Sequence, residues 1–231
     1  ALGFSERMKK MFHMKEKFAE IPEKEVLTEI LQSDMENIRG TMESLDKDAF
    51  SMAAELIQNA KKIYIVGIRS CEPLADFLGF YINMLFDEVH VIRTNSASEI
   101  FEQLMRIGAG DVLIGISFPK YSMRTVKAME LANSRSAGVI SITDSIHSPL
   151  NLYSSCNLIA RSEMASVVDS LTAPLSVINA LIVALCLKNQ DSLKQSIETL
   201  DQLYDDYQIY GRDEMDPSGG EIEIFHQGSR V

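Results

Sequence analysis

The spacing of apolar residues changes along the chain from a helical period to short continuous runs. From Glu23 to Leu45 apolar residues recur every three or four positions, which predicts a long amphipathic helix. Asp46 and Asp48 are suited to cap a second helix that reaches about Ala60. Beyond it, short apolar runs alternate with helical segments. This alternation predicts a parallel sheet with helices on both faces.

The predicted strands are runs that are apolar on both faces, as buried parallel strands are. They lie at residues 63–67, 89–92, 111–116, 139–143 and 157–159. The helices predicted between and after them lie at residues 74–86, 99–107, 125–134, 166–188 and 190–207. The uncharged stretch Leu171–Leu187 approaches the length of a membrane span, but its polar residues and Pro174 favour a buried helix.

Composition and charge narrow the range of functions. Hydrophobic residues make up 46% and charged residues 24% of the chain, which excludes disorder throughout. The net charge of −11 argues against a stand-alone nucleic-acid binder, because it would repel the phosphate backbone. The three cysteines form no CxxC pair, so neither a disulfide framework nor a zinc finger is expected, and a reducing cytoplasm is predicted. No metal or cofactor is expected, since Gly67 stands outside any dinucleotide or Walker motif.

The candidate chemistry lies in loops that follow strands, where open parallel sheets bind their ligands. Arg69 and Ser70 follow the first strand, and a loop from Ser117 to Ser122 follows the third. Ser122 stands where a helix should begin, and the free backbone N–H groups and dipole of a helix start favour an anion. Serine hydroxyls and Lys120 add donors and charge that suit a phosphate monoester. For each serine alone, the alternative is an ordinary cap or turn residue.

The segment Ile116–Ser122, which reads Ile-Ser-Phe-Pro-Lys-Tyr-Ser, resembles the phosphosugar loop of SIS (sugar isomerase) domains. More narrowly, it resembles the SIS domains of RpiR-type bacterial transcription regulators, and the resemblance covers about residues 23–190. The general SIS loop reads Ser-x-Ser-Gly-x-Thr, so Pro119 and Lys120 replace its second Ser and its Gly. The resemblance implies a three-layer α/β/α fold with a five-stranded parallel sheet, flavodoxin-like topology and additional N-terminal helices. The ligand contacts that it implies are Arg69, Ser70, Ser117, Lys120, Tyr121 and Ser122.

The resemblance also implies a domain organisation. Residues 1–22 are expected to be a remnant or linker from a preceding helix-turn-helix domain, residues 23–207 the phosphosugar-binding domain, and residues 208–231 a C-terminal tail. Within that tail, residues 221–225 are expected to form an edge strand or to be disordered. The apolar stripe of the first helix is expected to pack into the core, and packing across a dimer is the alternative.

Three functions fit these expectations. The first is a non-enzymatic effector domain that binds a phosphorylated sugar as a cytoplasmic homodimer or tetramer and controls DNA binding by the N-terminal domain. The second is a phosphosugar aldose–ketose isomerase with Glu163 or His147 as general base. The simpler interpretations of these two residues are a solvated residue at a helix start and a surface turn histidine. The third function is a dimerisation module with a vestigial pocket.

Overall fold

A five-stranded parallel sheet forms the centre of the protein. The computed structural model describes residues 22–94, 96–163 and 169–207. The strand order is β2-β1-β3-β4-β5, which confirms the predicted flavodoxin-like topology. The strands are β1 (Ile63–Gly67), β2 (Val89–Ile92), β3 (Val112–Ile116), β4 (Gly138–Thr143) and β5 (Cys156–Ile159). The helices are α1 (Glu23–Glu43), α2 (Lys47–Gln58), α3 (Glu72–Ile82), α4 (Ala97–Gln103), α5 (Met123–Ser134), α6 (Thr172–Lys188) and α7 (Gln190–Tyr207).

Each central strand is buried on both faces because helices cover the sheet on both sides. All five residues of β1 are buried, and so are all five residues of β3. Along β1 the side chains alternate between two cores, so that Ile63 and Ile65 face α2, α3 and α6 while Tyr64 and Val66 face α4 and α5. The predicted three-layer arrangement is therefore confirmed. It places the carboxyl ends of all five strands at one edge of the sheet.

Most element boundaries match the sequence prediction within two or three residues, but the sixth helix begins later than predicted. Helix α6 starts at Thr172 and residues 169–171 are not helical, while the predicted start at 166 lies outside the described residues. Ser170 precedes it in a non-helical conformation, where its carbonyl accepts a hydrogen bond from the Ser162 hydroxyl at 2.7 Å. That contact holds Ser170 against the exit of β5, two residues before the helix begins. Helix α4 also ends earlier than predicted, at Gln103.

Helix α1 contradicts the expectation that its apolar stripe packs into the core. The face that it buries is polar or small, with Asn37 and Thr41 only 3% and 6% exposed and Gly40 also buried. The stripe lies on a different face of the helix and is exposed in the described structure. Its exposed members within the helix are Leu27, Leu31, Met35, Ile38 and Met42, and Leu45 is exposed just beyond the helix end.

Helix α6 confirms only in part the expectation of a buried helix, because Val183 and Leu187 are 57% and 66% exposed. Its buried residues include Ile178, Leu181 and Leu185, none of which is measurably exposed. No single helix in residues 22–94, 96–163 and 169–207 has the length and apolar composition of a membrane span, and α6 and α7 together meet those criteria only with a bend of 98° between them. The expectations for residues 1–21 and 208–231, including the edge strand at 221–225, lie outside the described residues.

Candidate functional site

The loop after β1 turns back sharply on the end of its own strand. Arg69–Cys71 form a short 3-10 helix that leads directly into α3. Gly67 permits this turn, because a Cβ at that position would collide with the carbonyl oxygen of Cys71. Arg69 and Ser70 are exposed in this turn, while Cys71 is buried beneath them. The first predicted contact residues therefore lie at the edge of the sheet and are open to solvent.

The loop after β3 uses its two serines to shape the start of α5. Ser122 is the N-cap, and its hydroxyl oxygen accepts a hydrogen bond from the Thr125 N–H at 3.5 Å. The Ser117 hydroxyl oxygen accepts a hydrogen bond from the Ser122 N–H at 3.0 Å. Ser117 is only 3% exposed, whereas Ser122 is partly open to solvent. The cap and turn roles that each serine alone suggested are therefore both present.

These roles leave the donors at the start of α5 available. In the hydrogen bonds above, the oxygens of Ser117 and Ser122 both accept, so each hydroxyl still has its proton to donate. The first two helical amides, those of Met123 and Arg124, have no acceptor within the part of the chain that the structure describes. Four N–H or O–H groups therefore converge on a helix N-terminus, which is the arrangement that binds a phosphate or carboxylate.

Two cationic residues at this edge have left-handed backbones. Among the described residues, three non-glycine residues have positive φ, and two of them are Arg69 at 63° and Lys120 at 71°. Lys120 occupies the position of the Gly in the general SIS loop, so the backbone keeps the conformation that favours Gly. A left-handed residue with a Cβ costs on the order of 1–2 kcal/mol. Such strained positions concentrate at functional sites.

Contacts between neighbouring loops hold the three strand-end loops together. The buried Cys71 and Phe118 belong to the same apolar cluster, which links the loops after β1 and β3. The Tyr121 hydroxyl donates to Asp144 Oδ1 at 2.8 Å, which links the loops after β3 and β4. Thr143 extends this second link, because its hydroxyl also donates to Asp144 at 3.3 Å. The structure thus brings all six predicted contact residues to one continuous edge, and their role in ligand binding stays a prediction.

Tyr121 is held in a neutral state. Burial, and then its hydrogen bond with Asp144 and the negative charge there, raise the pKa of Tyr121 to about 12. At neutral pH it therefore serves as a hydroxyl donor that anchors the loop to Asp144. Its aromatic ring is packed against the core on the α4 and α5 side.

Thr125 is the residue at this site that the sequence analysis did not find. It lies in the first turn of α5, is completely buried, and its hydroxyl has no hydrogen-bond partner among the described residues. Buried polar atoms without a partner are rare. Its position three residues after a predicted N-cap was the only signal of its location in the sequence.

The two candidate general bases lie in the loops that follow β4 and β5. His147 is exposed in the third loop, as a surface turn histidine, and its backbone N–H donates to the Ser145 hydroxyl. Glu163 is solvated, as its simpler interpretation expected, and α6 begins nine residues after it at Thr172. Its backbone is bound to Asn37 of α1, and its carboxylate is 79% exposed and 3.8 Å from the Arg161 guanidinium. No three His, Cys, Asp or Glu side chains among the described residues are placed to hold a metal ion.

The family model of the SIS domain matches residues 56–184 of the chain. The chain belongs to the SIS domain family. The match covers more than half of the chain and includes every strand of the sheet. It also includes all six predicted contact residues.

Curated relatives of this SIS domain are transcription regulators. It is 27% identical over 186 residues to an HTH-type transcriptional regulator of Caldanaerobacter subterraneus, and 27% identical over 193 residues to the HTH-type transcriptional regulator HexR of Escherichia coli. The matches cover 77% and 78% of this chain, and the chain spans 64% of the length of each regulator.

Solved structures with the same fold include both regulators and isomerases. The sugar isomerase domain of an RpiR transcription factor from Sphaerobacter thermophilus matches 77% of this chain and 99% of that one, with a TM-score of 0.74 and 23% identity. Vibrio vulnificus NanR complexed with ManNAc-6P matches 81% of this chain and 72% of that one, with a TM-score of 0.68 and 17% identity. Phosphoheptose isomerase GmhA from Neisseria gonorrhoeae matches 70% of this chain and 98% of that one, with a TM-score of 0.61 and 16% identity.

Proposed function

We propose that this SIS domain is the effector-binding domain of a cytoplasmic transcriptional regulator and that its effector is a phosphorylated sugar. Residues 23–207 form the effector domain, residues 1–22 connect it to a preceding helix-turn-helix domain, and residues 208–231 are a tail. Effector binding changes how that N-terminal domain binds DNA. The domain needs no cofactor and catalyses no reaction.

One observation carries the ligand chemistry: the donors at the start of α5 have no acceptors. The hydroxyls of Ser117 and Ser122 and the amides of Met123 and Arg124 converge there without acceptors among the described residues. A phosphate offers several acceptor oxygens and a negative charge to the positive end of the helix. Ser70 and the cations Arg69 and Lys120 border the same edge. The regulator relatives, and the sugar phosphate bound to NanR, support this assignment.

The experiment is a thermal-shift screen of the chain against hexose 6-phosphates, including ManNAc-6P. Each sugar phosphate is paired with its unphosphorylated parent sugar and with inorganic phosphate. A true effector at about one hundred times its Kd stabilises the folded state by about 2.7 kcal/mol. We expect one sugar phosphate to produce a shift that its parent sugar does not. The absence of a shift with every sugar phosphate would contradict the proposal.

Matched variants locate the site. Ser122→Ala removes the cap of α5. Its control is Asp46→Ala, which removes the cap of α2, where the Asp46 carboxylate accepts hydrogen bonds from two backbone amides. Each variant is expected to lose about 0.5–2 kcal/mol of stability from its cap. Only Ser122→Ala is expected to lose the sugar-phosphate shift as well. A second pair is Ser117→Ala, at the end of β3, and its control Ser141→Ala, at a buried serine within β4. Only Ser117→Ala is expected to lose the sugar-phosphate shift.

A second candidate function is a phosphosugar aldose–ketose isomerase. It rests on the fold shared with solved isomerases, and its candidate bases are Glu163 and His147. Product formation from a sugar phosphate that is lost in Glu163→Gln or His147→Asn would favour it. We expect no product, because the structure shows the Glu163 carboxylate exposed beside Arg161 and its backbone held by α1.

The proposed assembly is a homodimer, and pairing of two such dimers would form the alternative tetramer. The stripe of α1 supports it, because four exposed residues of the helix repeat at spacings of four and three, which is the pattern of helices that pack against helices. They are Leu31, Met35, Ile38 and Met42. Sedimentation analysis of the whole chain is expected to show a species of twice the chain mass.

A further inference from the structure

The buried face of α1 holds the chain that leaves β5. The Asn37 side chain, 3% exposed, pairs with the backbone of Glu163 through two hydrogen bonds. Its Nδ2 donates to the Glu163 carbonyl at 3.1 Å, and its Oδ1 accepts from the Glu163 N–H at 3.0 Å. A side-chain amide that pairs in this way fixes one register between helix and strand exit, because a shift of one residue would break both bonds.

Two further residues on the same face of α1 extend this contact. Thr41 Oγ1 accepts from the Arg161 N–H at 2.8 Å, and Asp34 accepts from the Ser170 hydroxyl at 2.6 Å. Positions 34, 37 and 41 are spaced by three and four residues and therefore share one side of the helix. We call these three residues the polar face of α1. It binds both described ends of the segment between β5 and α6.

The polar face is connected to the candidate ligand site through the neighbouring strand end. The Ala160 N–H, directly after β5, donates to the Thr143 carbonyl at 2.8 Å. Thr143 also contacts Asp144, which anchors Tyr121 of the serine loop. On the other side of the segment, the negative charge of Asp169 contributes to the raised pKa of Cys71, although burial is the main cause. The chain held by α1 therefore borders the site at two places.

Hydrogen bonds hold this contact where apolar packing would ordinarily hold a surface helix. The apolar residues of α1 lie on its exposed stripe, whereas its polar residues are buried against the exit of β5. Directional bonds of this kind transmit a displacement of one partner to the other, because a buried partner left unpaired costs about 1–3 kcal/mol.

From this geometry we infer that Asp34, Asn37 and Thr41 couple the occupancy of the strand-edge site to the position of α1. The inference rests on the proposed function, in which the occupant is a phosphorylated sugar and α1 leads toward the DNA-binding domain. Coupling between two sites is reciprocal, so a substitution in α1 must also change the stability of the loops at the site. That reciprocity permits a test without any ligand.

The test is amide hydrogen exchange on the ligand-free whole chain, with Asn37→Ala compared with Glu36→Ala. Glu36 is the exposed neighbour of Asn37 on the same helix. We expect the amides of Phe118 and of residues 120–122 to exchange at least about fivefold faster in Asn37→Ala and to be unchanged in Glu36→Ala. Faster exchange confined to α1 and residues 160–171 would overturn the inference.

A second variant keeps the test decisive where Asn37→Ala does not fold. Thr41→Val keeps the shape of the side chain and removes the acceptor for the Arg161 N–H, together with the hydrogen bond that the hydroxyl donates to the Asn37 carbonyl within α1 at 2.8 Å. The same pattern of exchange is expected from it. The sugar-phosphate screen distinguishes a failure of the coupling from a failure of the proposed function. Fast exchange in the serine loop of Asn37→Ala with no ligand shift in the unsubstituted chain would support the coupling and contradict the proposed function. A ligand shift in the unsubstituted chain, with unchanged loop exchange in both variants, would overturn the coupling alone.

Discussion

Helices α1 and α6 lie against one another on the same side of the sheet, and both carry long apolar series in the sequence. Helix α6 buries one side of its series, where Ile178 and Leu181 are completely buried. Helix α1 buries Asn37 and Thr41 instead and leaves its apolar stripe exposed. The difference shows that apolar periodicity identifies an apolar helix face. It does not show whether that face packs against other parts of the same chain.

The largest effect is expected in the core of α6. Leu181→Ala removes a completely buried side chain and is expected to lower the free energy of unfolding by about 2–5 kcal/mol. Val183→Ala, two residues along at a position that is 57% exposed, is the control and is expected to change it by less than about 0.5 kcal/mol. Urea unfolding measures both. Equal losses would contradict the assignment of the buried side of α6.

The next effect tests whether polarity on α1 is required. Asn37→Leu adds apolar surface but leaves the N–H and carbonyl of Glu163 without partners, so we expect a loss of about 1–3 kcal/mol for each unpaired group. Met35→Leu changes an exposed residue of the stripe and should leave stability nearly unchanged. Urea unfolding is again the measurement. A stable Asn37→Leu variant would show that shape alone holds α1 in place.

Polar substitutions in the apolar stripe of α1 are expected to change the free energy of unfolding only slightly but to have a large effect on assembly. The double substitution Leu31→Gln and Met35→Gln should change the unfolding free energy of dissociated chains by less than about 0.5 kcal/mol per site, because both side chains are more than half exposed. The same variant should shift sedimentation toward single chains, and the exposed substitution Glu29→Gln should not. Strong destabilisation of dissociated chains would place the stripe in the core after all.

The smallest effect is expected at Gly40. Alanine there favours a helix by about 0.5–1 kcal/mol, but its Cβ would lie 2.6 Å from the Arg161 side chain and displace it. We therefore expect Gly40→Ala to be nearly neutral and to become stabilising in an Arg161→Ala background. A double-mutant cycle by thermal unfolding measures this coupling. Equal effects in both backgrounds would show that Arg161 does not restrict the buried face of α1.

The sequence predicted the part of the candidate site that depends on local structure. Strand ends and helix starts follow from the apolar runs, so Ser117 and Ser122 were placed correctly at the end of β3 and the start of α5. The interactions between loops could not be predicted in the same way. The bond from Tyr121 to Asp144 and the buried hydroxyl of Thr125 depend on which strands are neighbours and how closely the helix packs.

The sequence by itself determined the α/β class, the five strands, the helices between them and the family resemblance. These features depend on periodicity and on short motifs, which each segment carries within itself. Only the tertiary structure decided that α1 turns its polar face inward and that Glu163 is bound to that face. The physical reason is that the contact joins residues 126 positions apart, so no local pattern records it. Each partner is an ordinary surface polar residue until the sheet brings the exit of β5 beside the helix.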